Sequence, residues 1–254
     1  MNKAKEGLDQ EKVYTKLLNQ KTRFWDKLPF NKEETFAIHI TSQQYGALNK
    51  SKTPTKADIY FSLGNVPQEY LLANNFYLTE SDVQDFNLEP IPRSGVSVKL
   101  PGAKKYTIMK MVPNTFIEIF GSNVLGAGSS IYCSKEQEFY KNKDILNGWN
   151  VTEDEFLDYF KSKLSNNLDK INLLNKQSLK AVKTYSNNEI SRIIDNSKQI
   201  SDYIFKGIGN FEEPYTAYWI IKEDEMMPNY YIQYSISTGN GRSNGKFSIV
   251  LKPK

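Results

Sequence analysis

The sequence predicts an α/β protein in which a mixed β-sheet is flanked by helices. Apolar residues recur at helical spacing near residues 6–28, and short β-branched and aromatic runs follow at 35–41 and 55–61. A largely helical stretch then covers about residues 152–208, and β-like sequence returns after residue 215. Helical and strand segments in this order are typical of a sheet covered by helices.

The length of the chain allows one large domain with a sizeable core. Hydrophobic residues make up 39% and charged residues 24%, which is the composition of an ordinary folded protein. We expect a single domain over residues 1–254, with a core that carries the candidate catalytic residues in 1–150. A helical C-terminal insertion follows in 151–208, and a returning C-terminal β-hairpin lies in 209–254.

Local patterns set the expected boundaries of several elements. The apolar spacing predicts one helix over residues 6–28. Residues 106–112 fit either a strand or the start of a helix, and the Gly- and Ser-rich residues 121–130 indicate a loop or an insertion. Thr152 and Glu155 have the spacing of a capping box, which predicts that a helix begins there.

The scarcity of cysteine and histidine excludes several chemistries. Cys133 is the single cysteine, so the chain has no internal disulfide and no cysteine-based zinc cage. His39 is the single histidine, and we expect it to be a hydrogen-bonded strand residue rather than a catalytic one. Carboxylates, lysine and an oxygen-bound metal remain, and this combination suits magnesium.

The charge and the start of the chain bear on partners and location. A net charge of +4 and a pI near 8.8 permit a nucleic-acid partner without requiring one. The first residues contain neither a signal peptide nor a membrane-spanning run. We therefore expect a cytoplasmic protein with no membrane partner, and no pattern indicates an organic cofactor.

Two charged residues interrupt otherwise apolar strand-like runs. Asp58 lies in the run that continues through Phe61, and Lys99 lies in the run from Val96 to Leu100. A charge in such a strand is costly unless it has a partner or a ligand. An acid and a lysine at the ends of neighbouring strands can hold a divalent cation, a phosphate and an attacking water, which are the requirements of metal-dependent phosphodiester hydrolysis.

The order helix, strand, Asp-bearing strand, Lys-bearing strand resembles the PD-(D/E)xK nucleases, and specifically type II restriction endonucleases. The resemblance covers roughly residues 6–112, and it places the first acid of the family at Asp58 and the lysine at Lys99. The chain departs from the pattern twice, because Ala57 stands where the family usually has proline and Ser97 where it normally has Glu or Asp. Some restriction enzymes that resemble this chain carry Asn or Ser at that second position.

The resemblance implies a Mg²⁺-dependent, sequence-specific endonuclease of double-stranded DNA. Asp58 would bind the metal, with the Ser97 hydroxyl or a water and the Val98 carbonyl replacing the missing acid. Lys99 would position the attacking water and stabilise charge on the phosphate oxygens. Glu11, on the first helix, resembles an extra acid that some family members direct at the metal.

DNA contact is expected from polar and basic side chains in loops, since Arg and Lys bind phosphates and guanine while Asn and Gln read adenine. The C-terminal β region, with its Gly-rich loop, is expected to supply some of them. The candidates are Gln43, Gln44, Lys52, Thr55, Lys56, Lys104, Lys105, Arg242, Ser243, Asn244 and Lys246.

Three alternatives to a restriction enzyme stay open. One is a nuclease of the same fold that cuts by DNA structure in repair or recombination, and another is a non-catalytic DNA-binding protein. In the third, Asp58 and Lys99 form only a buried structural pair. A homodimer acting on a palindrome and a monomer are both compatible with the sequence.

Overall fold

A computed structural model describes residues 3–41, 55–102, 106–134, 144–164, 176–239 and 247–254. In chain order the helices and strands are α1 (Lys3–Asn19), β1 (Thr35–His39), β2 (Ile59–Leu63), α2 (Gln68–Ala73), α3 (Glu80–Asp85), β3 (Glu89–Pro90), β4 (Val96–Val98), β5 (Met109–Met111), α4 (Pro113–Phe120), α5 (Leu125–Ser130), α6 (Asp144–Gly148), α7 (Glu153–Lys163), α8 (Lys176–Asn196), α9 (Lys198–Lys206), β6 (Trp219–Lys222), β7 (Glu225–Pro228), β8 (Tyr234–Thr238) and β9 (Ile249–Pro253). Within these ranges no helix is both long enough and apolar enough to cross a membrane.

The chain divides into two compact units, each built from two segments. Unit 1 contains Met1–Lys104 and Asp202–Tyr231, and unit 2 contains Lys105–Ser201 and Ile232–Lys254. These boundaries do not coincide with the expected divisions near residues 150 and 208, because the chain leaves unit 1 after Lys104 and returns to it for Asp202–Tyr231.

Unit 1 holds a mixed sheet with strand order β1-β2-β4-β6-β7, and β3 pairs with β2. β2 is antiparallel to both β1 and β4, while β4 is parallel to β6. One side of the sheet packs on α1 through Leu18, Ile59 and Phe61. The other side buries Tyr60 and Tyr215 with residues of α2 and α3. The predicted α/β class, with a mixed sheet flanked by helices, is confirmed.

The first helix is shorter than predicted. It ends at Asn19, whose side chain exchanges hydrogen bonds with the backbone of Ala37 on β1. Trp25 then folds back so that its Nε1 donates to the Leu18 carbonyl at 2.8 Å, while Phe24 takes a φ of 69°. The apolar spacing continued to Trp25 because that side chain packs in the same core, even though the backbone is no longer helical.

Unit 2 combines a three-stranded antiparallel sheet, in the order β5-β9-β8, with helices α4 to α8. Residues 106–112 contain the strand β5, and β8 pairs with β9 as the expected C-terminal hairpin arrangement. The helix start at Thr152 is confirmed, since its Oγ accepts from the Glu155 amide and the Glu155 carboxylate accepts from the Thr152 amide.

The prediction of a loop or insertion at residues 121–130 is wrong. This segment forms a short 3-10 turn followed by α5, which is buried. A Cβ on Gly128 would lie 2.3 Å from the Trp149 ring, so the small residues serve close packing rather than flexibility. Strand β7, in unit 1, was also not expected from the sequence.

Candidate active site

Asp58 and Lys99 lie at the same edge of the unit 1 sheet. Asp58 directly precedes β2, and Lys99 directly follows β4. Because β2 and β4 are antiparallel, the start of one strand meets the end of the other. The Asp58 amide donates to the Val96 carbonyl at 2.9 Å, and the Lys99 amide donates to the Ile221 carbonyl at 2.8 Å.

Ser97 connects the two charged side chains. The Lys99 Nζ donates to the Ser97 Oγ at 2.5 Å, and the Ser97 Oγ donates to the Asp58 Oδ2 at 3.2 Å. The Val98 amide also donates to Oδ2, at 2.7 Å. Ser97 is buried, whereas Asp58 and Lys99 are partly buried. The residue that replaces the expected motif acid therefore links the lysine to the aspartate.

The surroundings of Asp58 disfavour its negative charge on balance. Burial raises the pKa of Asp58, and the nearby charge of Glu11 raises it further. The Lys99 ammonium and the hydrogen bonds from Val98 and Ser97 act in the opposite direction. Burial is the largest of these effects, so a cation at this carboxylate would offset an existing electrostatic cost.

Lys56 is a second lysine close to this carboxylate. Burial and the positive charge of Lys99 together lower the pKa of Lys56 to about 8, and the negative charge of Asp58 opposes this shift. The Lys56 Nζ donates to the Ile204 carbonyl at 3.1 Å. The sequence suggested only a contact to the DNA backbone, but the structure places this ammonium in the electrostatic field of the candidate site.

Glu11, on α1, also interacts electrostatically with Asp58, and its carboxylate contacts the His39 ring. The His39 Nε2 lies 3.1 Å from the Glu11 Oε2, and the His39 Nδ1 lies 2.6 Å from the Tyr77 hydroxyl. His39 is the last residue of β1 and is fully buried. The prediction of a hydrogen-bonded strand histidine is confirmed, but its connection to Glu11 was not foreseen.

The remaining predicted contact residues are mostly outside the described part of the chain. Thr55 is described, and its hydroxyl donates to the Ala57 carbonyl at 2.5 Å within the same segment. The others fall in residues 42–54, 103–105 and 240–246, beyond the described ranges: Gln43, Gln44, Lys52, Lys104, Lys105, Arg242, Ser243, Asn244 and Lys246.

A second buried carboxylate, on Glu80, was missed by the sequence analysis. Its side chain has no exposed surface, and the Tyr215 hydroxyl donates to its Oε1 at 2.8 Å. Among the described residues its Oε2 and the Tyr60 hydroxyl have no hydrogen-bond partner. Burial raises the pKa of Glu80 to about 7, although the Tyr215 hydrogen bond lowers it. Glu80 follows Thr79 at the start of α3, and nothing in this local pattern indicates that the acid is buried.

Comparison with known proteins does not supply a family. No protein-family model matches the chain, and no curated protein matches it significantly. The function is therefore inferred from the side chains that surround Asp58.

Proposed function

We propose that the chain is a Mg²⁺-dependent, sequence-specific endonuclease of double-stranded DNA, of the type II restriction enzyme class. The observation that carries the proposal is the hydrogen-bonded connection from Lys99 through Ser97 to Asp58 at one sheet edge. The order of α1, β1, the Asp58-bearing β2 and the Lys99-bearing β4 supports a PD-(D/E)xK arrangement. A cytoplasmic location, and action as a homodimer or monomer, belong to the same proposal.

The donor set near Asp58 fits magnesium. Carboxylate oxygens are the ligands that Mg²⁺ prefers, and Asp58 and Glu11 supply two carboxylates whose negative charges repel each other. Both described hydrogen bonds to the Asp58 carboxylate fall on Oδ2, and Asp58 and Glu11 are the residues that would hold the cation. In the described ranges no three side chains of His, Cys, Asp or Glu form a metal-binding group. Waters and phosphate oxygens would complete the coordination, as is usual for Mg²⁺.

The acidic residues and the lysine of the site would have different roles in the reaction. Asp58 and Glu11 would hold the cation, which when bound polarises the phosphate and lowers the pKa of a coordinated water. The Lys99 ammonium is held by Ser97, so it is oriented to position a water and to stabilise negative charge developing on the phosphate. Ser97 thereby acts on the lysine and the aspartate, and its hydroxyl and the Val98 carbonyl stay the oxygens proposed in place of the missing acid.

Lys56 adds a second positive charge to the site. Its ammonium is kept close to Lys99 despite their mutual repulsion and despite the loss of water around it. Such a placement is unfavourable in the free protein and favourable when a phosphate diester enters between the lysines and the acid. The electrostatic cost of keeping Lys56 beside Lys99 favours binding of a polyanion over a purely structural role for Asp58 and Lys99.

Digestion of DNA of known sequence with Mg²⁺, followed by mapping of the ends, tests the proposal. Discrete, sequence-defined fragments are the expected result. Cleavage confined to branches or ends would indicate the repair or recombination nuclease instead. No cleavage with any divalent metal, together with DNA affinity that is unchanged in Asp58→Ala, would indicate a non-catalytic DNA-binding protein.

Substitution of Lys99 tests the assigned roles. Lys99→Ala should lower the cleavage rate by about 10²- to 10³-fold, because a donor to the developing charge is lost, while specific binding is largely retained. Lys32→Ala removes an exposed lysine of the same unit and should leave cleavage unchanged. Undiminished cutting by Lys99→Ala would show that the lysine is misassigned. Loss of folding without any salt-dependent DNA binding would favour the structural pair.

A further inference from the structure

The His39 ring is held from both sides in the interior of unit 1. It has no exposed surface, and its two ring nitrogens face the Tyr77 hydroxyl and the Glu11 carboxylate. Its own amide donates to the Leu78 carbonyl at 2.9 Å, which fixes the backbone beneath the ring. The position and orientation of the imidazole are therefore set by β1 and by the segment that carries Tyr77.

The direction of the hydrogen bonds follows from the chemistry of the partners. An ionised carboxylate can only accept, so the His39 Nε2 carries the proton that faces Glu11. In the neutral ring Nδ1 is then an acceptor, and the Tyr77 hydroxyl donates to it. Burial raises the pKa of Tyr77 to about 12, with further contributions from Asp82 and Glu11, so the hydroxyl keeps the proton that it donates.

The hydrogen bond from His39 restricts the orientation of the Glu11 carboxylate. A glutamate on a helix surface has three rotatable side-chain bonds, and its side chain here is 22% exposed. The bond from His39 engages Oε2, and His39 pairs across β1 and β2 with Ile59, the residue that follows Asp58. One oxygen of Glu11 is thus anchored to β1, at the end of that strand that lies next to the start of β2, where Asp58 stands.

We propose that His39, supported by Tyr77, is a positioning residue that fixes the Glu11 carboxylate as a ligand for the divalent cation held by Asp58. This inference rests on the proposed function, because it assigns Glu11 to the metal site of that nuclease. The arrangement follows a general rule for metal centres, in which a hydrogen-bond partner behind a ligand orients it. Without His39, Glu11 loses the hydrogen bond that fixes the direction of its carboxylate.

Mn²⁺ binding to the full chain tests the inference without DNA. It is measured as the loss of the electron paramagnetic resonance signal of free Mn²⁺. His39→Phe keeps a ring in the site but removes both hydrogen bonds, and it should weaken Mn²⁺ binding by about 10- to 100-fold. His39→Gln retains an amide donor that can face Glu11, so it should recover much of the affinity. Asp9→Asn, an exposed acid of α1, is the matched control and should leave Mn²⁺ binding unchanged.

A double-substitution cycle separates positioning from a merely structural role. If His39 acts through Glu11, then His39→Phe should have little further effect on Mn²⁺ affinity in a Glu11→Gln background. Independent, additive losses would overturn the inference, as would unchanged Mn²⁺ affinity in a folded His39→Phe variant. Absence of Mn²⁺ binding by the unaltered chain would also overturn it.

Two further measurements keep the outcome decisive. Should His39→Phe fail to fold, Tyr77→Phe removes only the supporting hydroxyl and should weaken Mn²⁺ binding by about 2- to 10-fold, the value of one hydrogen bond; no change would overturn the inference. DNA cleavage by the unaltered chain is measured separately. The expected pattern of Mn²⁺ affinities with no cleavage would reject the nuclease while retaining the cation site and the role of His39.

Discussion

Replacing Glu80 by glutamine should remove a pH dependence from the stability of the folded chain. Glu80 is fully buried on the side of the unit 1 sheet that also holds Tyr60 and Tyr215. Its pKa is raised from 4.5 to about 7, mainly because burial disfavours the charged carboxylate. The folded state therefore binds this proton more tightly than the unfolded state does.

The direction and size of the effect follow from linkage. Between pH 4.5 and about 7 the folded chain carries more protons at Glu80 than the unfolded chain, so the free energy of unfolding falls as the pH rises. The contribution of the protonated group is fully present below pH 4.5 and is lost by the time the pH exceeds about 7. At about 1.4 kcal/mol for each pH unit, the loss amounts to about 3 kcal/mol.

Urea unfolding over the range from about pH 5 to about pH 8 measures this contribution. Glu80→Gln is neutral at every pH and can still accept from the Tyr215 hydroxyl, so its stability should fall less steeply than that of the unaltered chain. Glu89→Gln, which removes an exposed acid on β3, should retain the original slope. Equal slopes for the unaltered chain and Glu80→Gln would refute the reasoning, because Glu80 would then have an ordinary pKa in the folded state.

Three other predictions concern packing and charge. Gly95→Ala should destabilise the chain by about 1–3 kcal/mol in chemical unfolding, because a Cβ there would lie 1.9 Å from a backbone carbonyl oxygen. Gly7→Ala, in α1, is the control: its Cβ would contact nothing, so this variant should be stabilising. Lys56→Met should raise the free energy of unfolding by removing a desolvated charge, yet it should slow DNA cleavage; a loss of stability would contradict this. Lys246→Ala should weaken binding to all DNA sequences and reduce its salt dependence, whereas Arg242→Ala should relax sequence preference if Arg242 reads a base. Binding titrations with several DNA sequences and salt concentrations measure both effects.

The main elements around the candidate site could be predicted because their signals are local. Alternating or continuous apolar runs indicated β2 and β4, and the cost of a charge in such runs drew attention to Asp58 and Lys99. Local signals failed where tertiary packing decided the backbone. Trp25 shares the core of α1 without belonging to the helix, and the Gly-rich residues 125–130 form a buried helix because Trp149 packs against them.

The sequence by itself determined which residue types were present for chemistry: one histidine, one cysteine, and charged side chains within two apolar runs. Only the tertiary structure decided which of them meet. Antiparallel pairing of β2 with β4 joined Asp58 to Lys99 through Ser97, and burial of His39 beside α1 gave Glu11 its partner. The reason is physical: hydrophobic periodicity reports the face that a residue presents, whereas hydrogen bonds and electrostatic shifts depend on neighbours that only long-range strand and helix packing brings within reach.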